Sequence, residues 1–148
     1  KPVILKRHYG ESIRSWLGVA EHFEARDKHD FILCERGISV PHTHNMESRA
    51  IADIQVIPAI NDYAPSVPVI LDPSHATFKR EYVPAISRAA IAAGANGLLI
   101  EVHHNPENAW VDPLNAVTID NFKDLVSDLK PIAEVVNKSL NPVVLNQA

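Results

Sequence analysis

The sequence predicts an α/β fold built on parallel strands. Three observations carry that prediction. Four short, near-continuous apolar runs stand at residues 3–6, 31–34, 67–71 and 97–102, the pattern of strands covered on both faces. Amphipathic helical patterns fill the intervals. The runs begin at residues 3, 31, 67 and 97. Such spacing, roughly thirty residues, suits a βα repeat with right-handed crossovers.

Each helical interval has its own signals. Over residues 11–26, Ile13, Trp16, Leu17, Ala20 and Phe23 form one apolar stripe. A second helix is expected over 48–60, with Ile51, Ile54 and Ile57 in phase and Pro58 ending or kinking it. A third is expected over 83–93, with Gly94 as its stop. The fourth covers 119–138, with Asp120 near its start and Pro131 as a break or kink. Residues 139–148 carry no clear pattern. Two architectures fit this order: an open doubly wound sheet, or half of a (β/α)8 barrel, which takes about 250 residues in full. No glycine-rich phosphate loop follows a strand, which argues against dinucleotide binding.

Composition narrows the function classes. The 148 residues suffice for one domain with a core. A net charge of -4 without a long basic run argues against nucleic acid as the main ligand. The apolar runs are too short to span a bilayer. The single cysteine, Cys34, rules out an intrachain disulfide and fits a reducing, cytoplasmic setting. The chain opens "KPVILKR", without Met and already inside an apolar run. It reads as an excerpt from a longer polypeptide.

The strand ends carry the chemistry. They read Lys6-Arg7-His8, Glu35-Arg36-Gly37, Asp72-Pro73-Ser74-His75 and Glu101-Val102-His103-His104. Parallel α/β folds bind ligands at the carboxyl ends of their strands. Each residue alone has a plainer reading. Lys6 or Arg7 can be a solvated turn residue, Arg36 the ion-pair partner of Glu35, and His75 a hydrogen-bonded turn histidine. Glu101 can pair with a lysine, and Asp112 can cap a turn. The "HTHN" of residues 42–45 reads as a polar loop, and Cys34 as core packing. Repetition at four ends favours a site. His75, Glu101 and Asp112 offer one imidazole and two carboxylates, a set suited to Mn, Fe, Co or Zn, with coordination positions left for water or substrate. Lys6 and Arg36 suit a substrate bearing phosphate or carboxylate.

In order, "KPVILKR", "LCERGI", "DPSHAT" followed by "KREYVP", and "AAIAAGANGLLIEVHHNPENAWVD" resemble one family. The chain looks like the C-terminal half of a type Iβ 3-deoxy-D-arabino-heptulosonate 7-phosphate (DAHP) synthase. That branch includes the 3-deoxy-octulosonate 8-phosphate (KDO8P) synthases. The resemblance implies a (β/α)8 TIM barrel, with residues 1–148 as its last four βα units and no second domain. It implies an aldol-type condensation of phosphoenolpyruvate with erythrose 4-phosphate to DAHP plus phosphate, the first step of the shikimate pathway to aromatic amino acids. Lys6 would contact phosphoenolpyruvate and move a proton. Arg36 would bind its phosphate or carboxylate, and Arg49 the second phosphate. His75 would act with Lys6 in catalysis and, with Glu101 and Asp112, as a metal ligand.

The chain departs from the family at His8 and Phe78, where glycine is common, and in the loop that carries Arg49. The family's metal-ligating Cys, its Lys-Pro-Arg-Thr loop and its Gly-Ala-Arg segment have no counterpart here, and Cys34 is not that Cys. A half barrel would also expose two apolar strand edges. The expectation is therefore a piece of a longer polypeptide, or a barrel completed by a homo-oligomer or a second chain, and no synthase activity from the isolated monomer. The alternatives are a KDO8P-type condensation with arabinose 5-phosphate, and a non-catalytic half-barrel assembly module.

Overall fold

The computed structural model describes residues 1–41 and 50–140. Four parallel strands, β1 (Val3–Lys6), β2 (Phe31–Glu35), β3 (Val69–Leu71) and β4 (Gly97–Leu98), lie side by side in chain order. Five helices connect or follow them: α1 (Ile13–Glu24), α2 (Val56–Tyr63), α3 (Pro73–Thr77), α4 (Val83–Ala92) and α5 (Ile119–Val135). The strand order separates the two architectures. A doubly wound sheet reverses its order at a switch point and so gains helices on both faces. Sequential order with crossovers of one hand keeps every helix on one face, as in a barrel wall.

The core shows that one-sided arrangement. Phe31, Leu33, Val69 and Leu71 join Trp16, Ile57, Ile60, Ile91, Leu125 and Leu129 in a single buried cluster. Alternate residues turn to the opposite face, where Lys6, Cys34, Ile70 and Gly97 stand level across the four strands. That inner face is only partly covered, and Ile4 remains 46% exposed. The strands read as covered on both faces, yet the main buried cluster lies on the helical side and the inner face of β1 is exposed.

Local chemistry explains the boundaries. Ser12 caps α1, its hydroxyl accepting the Ser15 N–H at 3.1 Å. The second helix differs from the expectation over 48–60. Among the described residues it begins at Val56, and Ile51 instead forms an antiparallel bridge with Ile38. Pro58 lies in the first turn of α2, where a missing N–H costs nothing, so it opens the helix and does not end it. Strand β3 is shorter than expected, starting after Pro68. Strand β4 shrinks from 97–102 to two residues. Its neighbour β3 turns away at Asp72 into α3, so beyond Leu99 the chain leaves β3, and Val102 pairs instead in an isolated parallel bridge with Val117. Helix α4 ends one residue early, with Gly94 at φ +95° beyond it. Helix α5 is capped by Thr118 and continues past the exposed Pro131 to Val135, so the proline does not end it. No described helix is long and apolar enough to cross a membrane.

Candidate active site

The third strand builds the centre of the site. Asp72 follows β3 directly and caps α3, so the strand's end and the helix's start share one residue. It is fully buried. Its Oδ1 accepts the His75 backbone N–H at 3.0 Å, and its Oδ2 lies 2.8 Å from His75 Nδ1. Lys6 Nζ, arriving from β1, donates to the same Oδ2 at 3.3 Å. One buried carboxylate thus holds a cation and an imidazole from two strands.

The electrostatics follow from this geometry. Burial pushes the Asp72 carboxyl up, but the bonds from His75 outweigh it and hold the group below its ordinary value. The Asp72 hydrogen bond raises the His75 imidazole, against burial and the nearby charges of Lys6 and Arg36. With Nδ1 engaged, Nε2 is the nitrogen that faces outward. It points to Asp112, with Nε2 and Oδ2 3.5 Å apart.

Asp112 reaches this position through a turn with φ +49°, a left-handed conformation that short polar residues adopt more readily than others. Its loop is stapled from the far side. Arg80 donates to the Pro113 carbonyl at 2.6 Å and pairs with Glu107 at 2.7 Å, and its backbone N–H donates to Leu114 at 2.9 Å.

The second strand presents Arg36. Its guanidinium stacks over Tyr9 at 4.7 Å and donates through Nη2 to the Tyr9 hydroxyl at 3.0 Å. Its Nε is buried without a hydrogen-bond partner among the described residues. Glu35 does not pair with Arg36, contrary to the plainer expectation, because neighbours on a strand face opposite ways. It pairs instead with Arg7, Oε2 to Nη1 at 2.9 Å, and its Oε1 accepts the Gly37 N–H at 2.6 Å. Arg7 is no solvated turn residue: it is 4% exposed, bonds also to Asp53 at 2.8 Å, and sits over Trp16. Burial pushes the Glu35 carboxyl up against the pull of Arg7 and the Gly37 amide. Gly37 has φ +101°, and a Cβ there would stand 2.9 Å from Ala50 Cβ and 3.0 Å from Ala76 Cα. Only glycine fits that turn.

The structure brings Lys6, His75 and Asp112 together through Asp72. Glu101 stands apart: it is exposed, and its backbone N–H is held by Ser74 Oγ at 3.0 Å. Among the described residues no three His, Cys, Asp or Glu side chains gather closely enough to hold an ion. Cys34 is buried, its thiol pushed up to about 12 by burial first and the Asp72 charge second. A thiol so disfavoured as thiolate fits packing, not ligation. Arg49 and the "HTHN" residues 42–45 lie outside the described residues. Sequence reasoning gave no role to Asp72 or Tyr9. Asp72 had a local signal, since Asp-Pro-Ser-His is a cap followed by a helix-opening proline. Tyr9 had none.

Four parallel strands in sequential order, with charged groups at their ends, make this chain part of the wall of a (β/α)8 barrel. It belongs to the DAHP synthetase I family, whose pattern matches residues 1–138. A phospho-2-dehydro-3-deoxyheptonate aldolase of Thermotoga maritima is 38% identical over 141 residues, covering 95% of this chain and 40% of that protein. The crystal structure of the Thermotoga maritima DAHP synthase superposes with a TM-score of 0.86 at 37% identity, again over 95% of this chain and 40% of that one. A truncated form of that synthase gives the same TM-score, with 52% of its chain covered. A 2-dehydro-3-deoxyphosphooctonate aldolase of Legionella pneumophila is 29% identical over 151 residues, with 52% of its length covered. The chain thus spans about half or less of the length of these relatives.

Proposed function

We propose that this chain is the C-terminal half of a DAHP synthase barrel and supplies part of a site that, with the other barrel half, condenses phosphoenolpyruvate with erythrose 4-phosphate. The observation that carries the reading is the line Lys6–Asp72–His75–Asp112 along the strand ends, with Arg36 on the same inner face. Greater similarity to the heptonate aldolase than to the octonate aldolase, 38% against 29% identity, favours DAHP over KDO8P synthesis.

In this reading Arg36 and Lys6 bind the phosphate and carboxylate of phosphoenolpyruvate. The buried Arg36 Nε, without a partner among the described residues, can donate to an anion. Lys6 Nζ also carries a proton to or from the reacting carbons, and Asp72 orients both Lys6 and His75. Preorganised charge supplies most of the rate enhancement. Arg49 takes the phosphate of the second substrate.

The donor set partly fits a divalent ion. His75 Nε2 and Asp112 Oδ2 converge, with the imidazole oriented from behind by Asp72. Glu101 is the third donor by position at its strand end, although it stands apart from the pair. Mn, Fe, Co or Zn would suit this mixed nitrogen and oxygen set. When bound, such an ion polarises a carbonyl oxygen.

The remaining four βα units come from elsewhere in the polypeptide or from another chain, in a cytoplasmic, homo-oligomeric enzyme. The test is a complete barrel containing this chain, offered erythrose 4-phosphate and arabinose 5-phosphate in turn. We expect turnover with the first, loss of bound metal on His75→Ala, and none from residues 1–148 as a monomer. Preference for arabinose 5-phosphate would favour the KDO8P reading. Absence of both metal and phosphoenolpyruvate binding would favour a non-catalytic module.

A further inference from the structure

The Arg7–Glu35 pair takes no part in the chemistry above. Both side chains lie on the helix-facing side of the sheet, buried to 4% and 0% exposure. Their position relative to Arg36 nevertheless gives them a use. We propose that Glu35, anchored by Arg7, is a positioning residue that sets how Arg36 is presented to phosphoenolpyruvate. This inference rests on the reading of Arg36 given under Proposed function.

The two oxygens of Glu35 do separate work. Oε2 takes Arg7 Nη1 at 2.9 Å and Oε1 takes the Gly37 N–H at 2.6 Å. The side chain of residue 35 therefore loops over residue 36 and grips the backbone on its far side. Strand β2 has ended there, and the last ladder bond is from the Asp72 N–H to the Glu35 carbonyl at 2.7 Å. Between that bond and the Ile38–Ile51 bridge, the Glu35 carboxylate holds the backbone at Gly37, the nearest restraint to Arg36 on its far side.

The anchor itself is immobile. Arg7 is held at Nη1 by Glu35 and Asp53, at Nε by the Glu11 carbonyl at 3.0 Å, and against the Trp16 ring. Arg36 has far fewer restraints of its own. Its guanidinium rests on Tyr9 and its Nε has no partner among the described residues. Its aim therefore depends on the backbone that Glu35 holds.

Glutamine at position 35 separates positioning from simple burial. It offers one carbonyl oxygen to two donors, so its amide N–H must face either Gly37 N–H or Arg7. Asp53→Asn serves as the control. It weakens an Arg7 partner of equal reach, 2.8 Å, without touching the residue 35–37 turn.

The experiment measures steady-state kinetics of the complete barrel. Glu35→Gln is expected to raise KM for phosphoenolpyruvate at least tenfold. KM for erythrose 4-phosphate should stay within twofold and kcat within threefold. Asp53→Asn should leave KM for phosphoenolpyruvate within threefold. Should Glu35→Gln fail to fold, Arg7→Lys carries the test, with at least a threefold rise expected. An unchanged KM in the folded variant overturns the proposal, as does an equal rise in Asp53→Asn. Arg36→Ala tells the two readings apart. If it leaves KM unchanged, the assignment of Arg36 fails and this inference with it. If it raises KM a hundredfold while Glu35→Gln does not, only the positioning role fails.

Discussion

The ends of β1, β2 and β3 differ sharply from the end of β4. On the first three, charged groups are interlocked: Arg7 with Glu35 and Asp53, and Asp72 with Lys6 and His75. Past β4 the chain opens out. Glu101 is exposed, Trp110 and Val111 are 101% and 74% exposed, and an apolar groove of about 590 Å³ runs beside Leu98, Ile100 and Phe122. The difference follows from neighbours. Each of the first three strands is followed by a further strand packed beside it, whereas no described strand follows β4, and only an isolated bridge from Val102 to Val117 stands beyond it. A charged group becomes a fixed part of a site when the surrounding units desolvate and pair it.

The largest effect should come from comparing one carboxylate of each kind. Glu35→Ala leaves Arg7 buried with Asp53 alone, and should cost about 3 kcal/mol, the low end for breaking a buried pair. Glu101→Ala should stay within about 0.5 kcal/mol, as for other exposed positions. Urea unfolding of the two variants measures both. Equal losses would erase the distinction between the two regions.

Gly37→Ala should follow at about 2 kcal/mol, from left-handed strain plus the approach to Ala50 and Ala76. A midpoint close to that of the parent chain would show that the turn relaxes, and would weaken the account of how Arg36 is held.

A smaller and pH-dependent effect belongs to Cys34. Its folded value, about 12, lies above its ordinary one of 9.0. The folded chain therefore keeps a proton that the unfolded chain releases. This contribution is fully present below pH 9 and is lost as pH rises toward 12, by at most about 1.4 kcal/mol per pH unit. Cys34→Ala should flatten that part of the stability profile. A thiol that reacts readily with a thiol reagent at pH 8 in the folded protein would contradict the burial of Cys34.

Much of the fold was legible because its signals are local. Apolar runs marked the strands, and the stripe of Ile13, Trp16 and Ala20 marked α1. Gly94 marked the end of α4 through backbone sterics. Pro58 was misleading for a physical reason: proline is compatible with a first turn as well as with a stop, and only the position of Val56 in the core selects between them. The site was legible as a set of residue types at strand ends. Its groupings were not. Glu101 looked equivalent to His75, yet the chain leaves β3 after Leu99 and Glu101 stays exposed, whereas His75 is held by the buried Asp72.

By itself the sequence determined the βα repeat and the residue types at each strand end. Tertiary structure alone decided the sequential strand order, and so the one-sided wall of helices. It alone joined Lys6 to Asp72 across 66 residues and Arg7 to Glu35 across 28. The physical reason is range. Caps, turns and apolar faces are set by sterics within a few residues, whereas a buried charge finds its partner only after strands pack in register and exclude the water that would otherwise solvate it.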